Sequence, residues 1–239
     1  MDVAFPARPP GRRGRRLPAW PAVLAVVAHP DDESFGLGAV IDALVAGGTA
    51  VHVLCYTHGE ASTLNETRAD LRRARESELS LAGAELGVAG VTLLDYPDGR
   101  LAEIAPAELA AQAATVAARS GAGGLLVFDD TGITGHPDHQ AATAAAVIAG
   151  RQAGLPALAW ALPDTVAARL STETGQRFTG QPPNMIDMCV RVSRSRQRRA
   201  ALLHASQISP AAVLWRRLQL QGDCEHLRWL RPPTATAAR

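Results

Sequence analysis

A chain of 239 residues, 47% hydrophobic and 20% charged, is long enough for one well-buried core, and none of its apolar runs approaches the roughly 20 residues of a membrane span. The formal net charge is +1, with five Arg and one acid in residues 1–18, so the rest of the chain is mildly acidic, which argues against nucleic acid as its main partner. Cys55, Cys189 and Cys224 are odd in number and widely spaced; they match neither a disulfide framework nor a Cys-based zinc site, so a reducing cytoplasm is the expected location.

In chain order, residues 1–20 are rich in Arg and Pro and read as a disordered leader. RRLPAWPAVLAVVA has the outline of a secretory signal, but cleavage after Ala28 would sever an apolar strand, Val23–Ala28, from the charged residues it presents. Then follow a helix over Phe35–Ala46, a strand over Ala50–Thr57 and a long amphipathic helix over Leu64–Leu86. A strand at Val91–Leu94 precedes an Ala-rich helix, Pro106–Arg119, with proline as its starter. A strand at Gly124–Phe128, a helix at Pro137–Ala153 and a strand at Ala157–Leu162 complete the alternation. Continuous apolar strands separated by helices predict a single α/β domain, residues 21–230, whose mostly parallel sheet has helices on both faces. Beyond a polar stretch at 171–184, Met185–Val192 alternates like a half-buried strand, Arg194–Ser206 reads as a helix, and 231–239 as a frayed tail.

Ligands of open parallel sheets gather beyond the carboxyl ends of the strands. The unusual residues fall there: HPDDE after the first strand, THGE after the second, DYPDG after the third and DDTGITGHPDH after the fourth. His29 and Asp32 lie three apart at a strand-to-helix turn, and His136 and His139 lie three apart around a helix start. One His, one carboxylate and one more His make an open three-ligand set, as in catalytic zinc sites, with Asp31 and His136 left over as base and acid. A helix N-terminus would account for one or two of the carboxylates, since acids suit the positive end of the dipole, but not for His29. GLGAV lacks the third glycine of a dinucleotide fingerprint and follows acids that would repel a pyrophosphate. His52 reads as a packed or rim residue of the second strand, His58 lies on the correct edge without a spaced partner, His226 reads as surface, and His204 has no support from spacing. The Arg cluster from Arg191 to Arg199 reads as a solvated helix face.

The stretches AHPDDE (28–33), GE (59–60), RESEL…LG (75–87), YPDG (96–99), GHPDH (135–139) and HASQ (204–207) resemble, in this order, the PIG-L (LmbE-like) family of zinc-dependent N-deacetylases. The resemblance implies a Rossmann-like fold and hydrolysis of an N-acetyl group, usually on a glucosamine-containing small molecule; the apolar runs and the charge distribution already speak for no membrane and no nucleic acid partner. It implies that His29, Asp32 and His139 hold one catalytic Zn2+. It further implies Asp31 as general base and His136 as acid and oxyanion stabiliser, oriented by Asp138, with Arg75 and Asp98 contacting substrate. Members acting on thiol-precursor glycosides carry Tyr two residues before the position of His136, where this chain has Thr134, so a role in specialised metabolism fits equally well. A zinc amidase for a larger acyl group and a non-catalytic binder of the same fold are the alternatives, and the residues leave oligomeric state, a homo-oligomer included, open.

Overall fold

The computed structural model describes residues 15–64, 68–209 and 211–234. In chain order, β1 (Ala22–Val27) leads to α1 (Asp32–Phe35), α2 (Gly38–Ala46), β2 (Ala50–Thr57), α3 (Arg68–Leu86) and β3 (Gly90–Tyr96). Then come a single 3₁₀ turn (Leu101–Glu103), α4 (Pro106–Arg119), β4 (Leu125–Phe128), α5 (Gly132–Gly135), α6 (Pro137–Ala153) and β5 (Ala157–Ala161). The last part holds α7 (Asp164–Thr174), a 3₁₀ turn (Pro183–Met185), β6 (Met188–Arg191), α8 (Ser195–Leu203), α9 (Val213–Gln221) and β7 (Cys224–Arg231).

β1 is buried along its whole length, as a strand with no polar position must be. Its side chains alternate: Val23, Ala25 and Val27 enter one core layer, and Leu24, Val26 and Ala28 the other. The first layer is closed by α2, α3, α7 and α8, the second by α4 and α6, so helices cover both faces of the sheet. The strand order is β3-β2-β1-β4-β5-β7-β6, with β1 to β5 parallel and β7 antiparallel to both of its neighbours, β5 and β6. The chain moves outward from β1 to β3, then returns to place β4 on the other side of β1. The connections diverge there, opening a crevice beyond the carboxyl ends of β1 and β4.

The helices over Pro106–Arg119 and Pro137–Ala153 have the expected limits, each with proline in its first turn. The helix expected over Phe35–Ala46 is instead two, broken at Gly36 and Leu37, whose amides both turn back to the Asp32 carbonyl. The expected leader ends earlier than residue 20, because Leu17 and Trp20 pack on the core and the Trp20 ring meets Trp229 edge-on at 6.1 Å. Residues 1–14 and the tail from 235 to 239 lie outside the described residues.

The carboxyl-terminal part differs most from expectation. β7 enters the sheet between β5 and β6 and runs to Arg231, so the expected tail begins inside a strand. Its sequence hides this because its charges are buried and paired. Glu225, fully buried, accepts from Trp160 Nε1 at 2.7 Å and from Gln221 at 3.1 Å and is salt-bridged to Arg194. Arg228 is bound to Asp129 and Asp130. Arg194, Arg196 and Arg199 are ion-paired with Glu225, Asp42 and Glu85, so the Arg cluster ties α8 to its neighbours instead of forming a merely solvated face. His226 is a half-buried strand residue, not a surface one.

Cys189 and Cys224 form a disulfide across β6 and β7, which corrects the expectation of unpaired thiols. Cys189 faces His226 and Arg191 faces Cys224, so the two sulfurs meet diagonally on one face of the pair. The pairing removes the cysteine argument for a reducing compartment. Among the described residues, no helix is long and apolar enough to cross a membrane.

Candidate active site

The site begins where β1 stops. Two successive amides, of Ala28 and His29, donate to Asp32 Oδ2 at 3.2 and 2.9 Å, fixing one carboxylate directly under the strand end. Asp31 then takes φ 114°, in a left-handed region that a residue with a Cβ adopts only when its surroundings demand it. Here they do. Its amide donates to Glu33 Oε2 at 2.9 Å, and its carboxylate receives Arg75 Nη2 at 3.0 Å. The strained turn makes two adjacent acids face different partners.

The second half comes from the start of α6. Pro137 occupies the first turn, and His136 is the cap, its Nδ1 accepting the Asp138 amide at 3.2 Å. One turn on, His139 points Nε2 at Asp32 Oδ1, 3.1 Å away, while its Nδ1 donates to the Gly132 carbonyl at 3.2 Å. His29 completes a triangle with them, its ring centroid 5.0 Å from His136 and 5.2 Å from His139, which are 4.9 Å apart. Its Nδ1 is 3.6 Å from Asp32 Oδ2, and its Nε2 faces Asp98 Oδ1 at 3.0 Å and Asp138 Oδ2 at 3.3 Å.

His29, Asp32 and His139 each offer a ligand atom within 4.8 Å of the others. This donor set fits a divalent metal. Both imidazoles have their far nitrogen fixed by an oxygen, on Asp98 and Asp138 for His29 and on Gly132 for His139, which leaves the near nitrogen free to coordinate. His29, His136 and Asp138 form an overlapping group of similar size. Its Asp138 arm is already engaged, because that carboxylate accepts the Gly99 and Leu101 amides at 2.7 and 3.0 Å.

The charges separate in the same way. Burial and the neighbouring Asp32 push Asp31 up to about 6 against the pull of Arg75. Burial also opposes ionisation of Asp32, but His139 and His29 hold it well below the usual carboxylate range. Burial works against protonation of His29, yet Asp138, Asp32 and Asp98 together raise it. His136 is lowered by burial and by the two neighbouring imidazoles. Adjacent acids driven apart in this way are the pattern of a pair with different duties.

All eight residues singled out in the sequence therefore gather in one crevice, but three have partners other than those expected. The Asp138 carboxylate does not hydrogen-bond His136; it steadies the His29 ring and the loop at 99–101, and touches His136 only through its backbone amide. Arg75 is buried and donates to Asp31, to the Gly59 carbonyl at 2.7 Å and to the Pro30 carbonyl, so its reach is directed at the β1 loop. Asp98 faces His29 and accepts the Ala61 amide at 2.8 Å.

Spacing missed a further pair. His204, fully buried, lies 2.7 Å from Glu33 Oε1, and Glu33 in turn holds the Asp31 amide. Only the HASQ resemblance pointed to it, because 171 residues separate the partners. His58, buried beside the site, faces Asp95 Oδ1 at 3.0 Å.

Gly59 shows how closely the loops fit. It has φ +66°, and a Cβ there would lie 2.3 Å from Arg75 Nη1. Gly59→Ala is expected to displace the guanidinium and with it Asp31, lowering turnover about 10²-fold. Metal content, measured on the same sample, should be unchanged because none of the three ligands touches Gly59.

The family profile described as PIG-L: GlcNAc-PI de-N-acetylase matches residues 24–149, just over half of the chain. The chain belongs to the PIG-L family. The match runs from β1 into α6 and so contains every one of the eight site residues. A probable N-acetylglucosaminyl-phosphatidylinositol de-N-acetylase of Schizosaccharomyces pombe is 35% identical over 132 residues, covering 53% of this chain and 50% of that one. A 1D-myo-inositol 2-acetamido-2-deoxy-alpha-D-glucopyranoside deacetylase of Kineococcus radiotolerans is 29% identical over 209 residues, covering 67% of this chain and 58% of that one. The chain thus spans little more than half the length of these PIG-L relatives. Among solved structures, GalB, the 4-carboxy-2-hydroxymuconate hydratase of Pseudomonas putida, superposes with a TM-score of 0.66 at 20% identity, over 90% of this chain and 98% of that one. A hydratase on the same fold means that the reaction has to be read from the site.

Proposed function

We propose that this protein is a zinc-dependent hydrolase that removes an N-acyl group, acetyl in the first instance, from an N-acetylglucosamine-type sugar conjugate. The observation that carries this reading is the division of labour at Asp31 and Asp32: one carboxylate is turned toward two histidines, and its neighbour is held apart by a left-handed backbone and Arg75. The named activities of the two PIG-L relatives support the amino-sugar substrate class.

His29, Asp32 and His139 would hold the metal, which when bound supplies Lewis acidity to the acyl carbonyl and to a water molecule. Asp31, with its raised proton affinity, takes the proton from that water as the carbonyl carbon is attacked. Asp31 then passes that proton to the leaving nitrogen, and His136, whose Nδ1 already accepts the Asp138 amide, donates a hydrogen bond from Nε2 to the developing oxyanion, a contribution commonly worth about 3–4 kcal/mol. Asp138 and Asp98 keep the His29 ring oriented, and Arg75 keeps Asp31 in place. Glu60, in the loop after β2, has Oε1 on the Asp98 amide and Oε2 without a partner, and is a group offered to a sugar hydroxyl. A pure binder has no use for a second acid outside the ligand set, which weighs against a non-catalytic role.

The test is amine release from a panel of N-acetylglucosamine conjugates by purified protein of known metal content. Chelator treatment should abolish release and added Zn2+ should restore it. Full turnover by metal-free protein would remove the reading.

A further inference from the structure

Beside the metal ligands lies a cavity of about 200 Å³ walled by Phe35, Phe128, Ile133, Trp160, Phe178 and Leu214, with Asp32 and His139 at its edge. It lies on the opposite side of the crevice from the polar loops. Glu60, Arg75 and Asp98 come from the β2 and β3 side of β1, whereas Phe128 and Trp160 come from β4 and β5 on the other side. A carbonyl carbon seated at His29, Asp32 and His139 has two substituents, and these diverge. If the nitrogen and its sugar extend toward the polar loops, the carbon side of the acyl group enters the apolar cavity.

An acetyl methyl would leave that cavity mostly empty. A methyl occupies about the ~30 Å³ of a water molecule, whereas an apolar cavity of roughly 150 Å³ already admits benzene. The walls are suited to apolar matter: Phe128 and Trp160 pack at 5.2 Å, and Phe128 stands edge-on to His139 at 5.0 Å. Arg217 also borders the cavity, but its guanidinium is committed to Glu225, Gln221 and the Phe35 carbonyl and lies over the Trp160 ring at 4.8 Å. Its charge is balanced within the protein, so it does not call for an anionic ligand. Phe35, Val213 and Leu214 are shared with a trough of about 1050 Å³ along residues 205–214, which gives a longer group a way out.

We infer that this cavity is an acyl subsite for groups larger than acetyl, a medium-length aliphatic or aryl acyl chain carried on the amino-sugar nitrogen. The inference rests on the proposed amide hydrolysis for its orientation, and two separate measurements distinguish it from that reading. The first is kcat/KM of the zinc-loaded protein on N-acetyl-, N-butanoyl-, N-hexanoyl- and N-benzoylglucosamine. The second is calorimetric binding of acetate, hexanoate and benzoate to the same protein, without turnover.

Hexanoate and benzoate should bind at least about 30-fold more tightly than acetate, at a few-fold per added methylene. Hydrolysis should peak at butanoyl or beyond. Val213→Phe and Thr134→Met, which fill the cavity from its rim, should erase the preference for the larger carboxylates and leave acetyl hydrolysis within about threefold. Hydrolysis restricted to N-acetyl substrates, with acetate bound as tightly as hexanoate, would overturn the subsite and leave the proposed reaction standing. Selective binding of hexanoate and benzoate by a protein that hydrolyses none of the four amides would uphold the subsite and overturn the reaction.

Discussion

Asp31→Asn should keep its metal and lose turnover by about 10²–10⁴, the usual scale for a positioned acid or base, whereas Asp32→Ala should lose both. The two residues are neighbours in sequence but opposite in geometry and in charge environment. Asp32 has one oxygen on the Ala28 and His29 amides and the other 3.1 Å from His139 Nε2. Removing it takes away a ligand and also frees the amides that shape the strand end. Asp31 touches none of the three ligand atoms through its side chain; its carboxylate meets Arg75, and its backbone is held by Glu33. Asparagine keeps the size and the hydrogen bond from Arg75 but cannot take a proton. Substrate affinity should change less than turnover, because the interaction strengthens in the transition state. Metal analysis and single-turnover amine release on the two variants settle the assignment. Metal lost from Asp31→Asn and retained by Asp32→Ala would reverse the two roles.

The parts of this site that the sequence made legible are those with local geometry. HPDDE and HPDH each place their residues within one turn of the chain, so spacing alone brings His29 to Asp32 and His136 to His139. The apolar run of β1, alternating into two core layers, likewise needs no distant partner to be recognised. Contacts made across the sheet were not legible. Nothing near Asp138 signals that its carboxylate will reach His29 and the amides of Gly99 and Leu101. β7 is hard to read for a related reason: the charges of CEHLRWLR obscure a strand because the partners that neutralise Glu225 and Arg228 lie at the start of α8, on α9 and in the loop after β4. The disulfide was hidden with it, since Cys224 had no strand to bring it to Cys189.

His204→Ala should destabilise the protein by about 3–5 kcal/mol, the usual consequence of leaving a buried charge without its partner. At roughly 2–4 °C per kcal/mol for a chain of this size, the melting temperature should fall by about 6–20 °C. Glu33 and His204 are both fully buried, 2.7 Å apart. Burial disfavours charge on each, yet the facing partner prevails: Glu33 is held below the usual carboxylate range, and His204 is raised above the ordinary imidazole value. Both shifts favour the ionised pair. With His204 gone, the Glu33 carboxylate keeps only Ser34 Oγ at 2.5 Å and the Asp31 amide at 2.9 Å. Neither carries charge. Glu33→Gln removes the charge from the other side while preserving most of the volume, so its cost should be smaller. In the double variant, with no buried charge left to compensate, the two losses should add to less than their sum by 1 kcal/mol or more. Thermal melts of the three variants at one pH provide the comparison. If His204→Ala melts within about 2 °C of the parent, or the two losses simply add, the pair is not what holds the strained turn beneath the site.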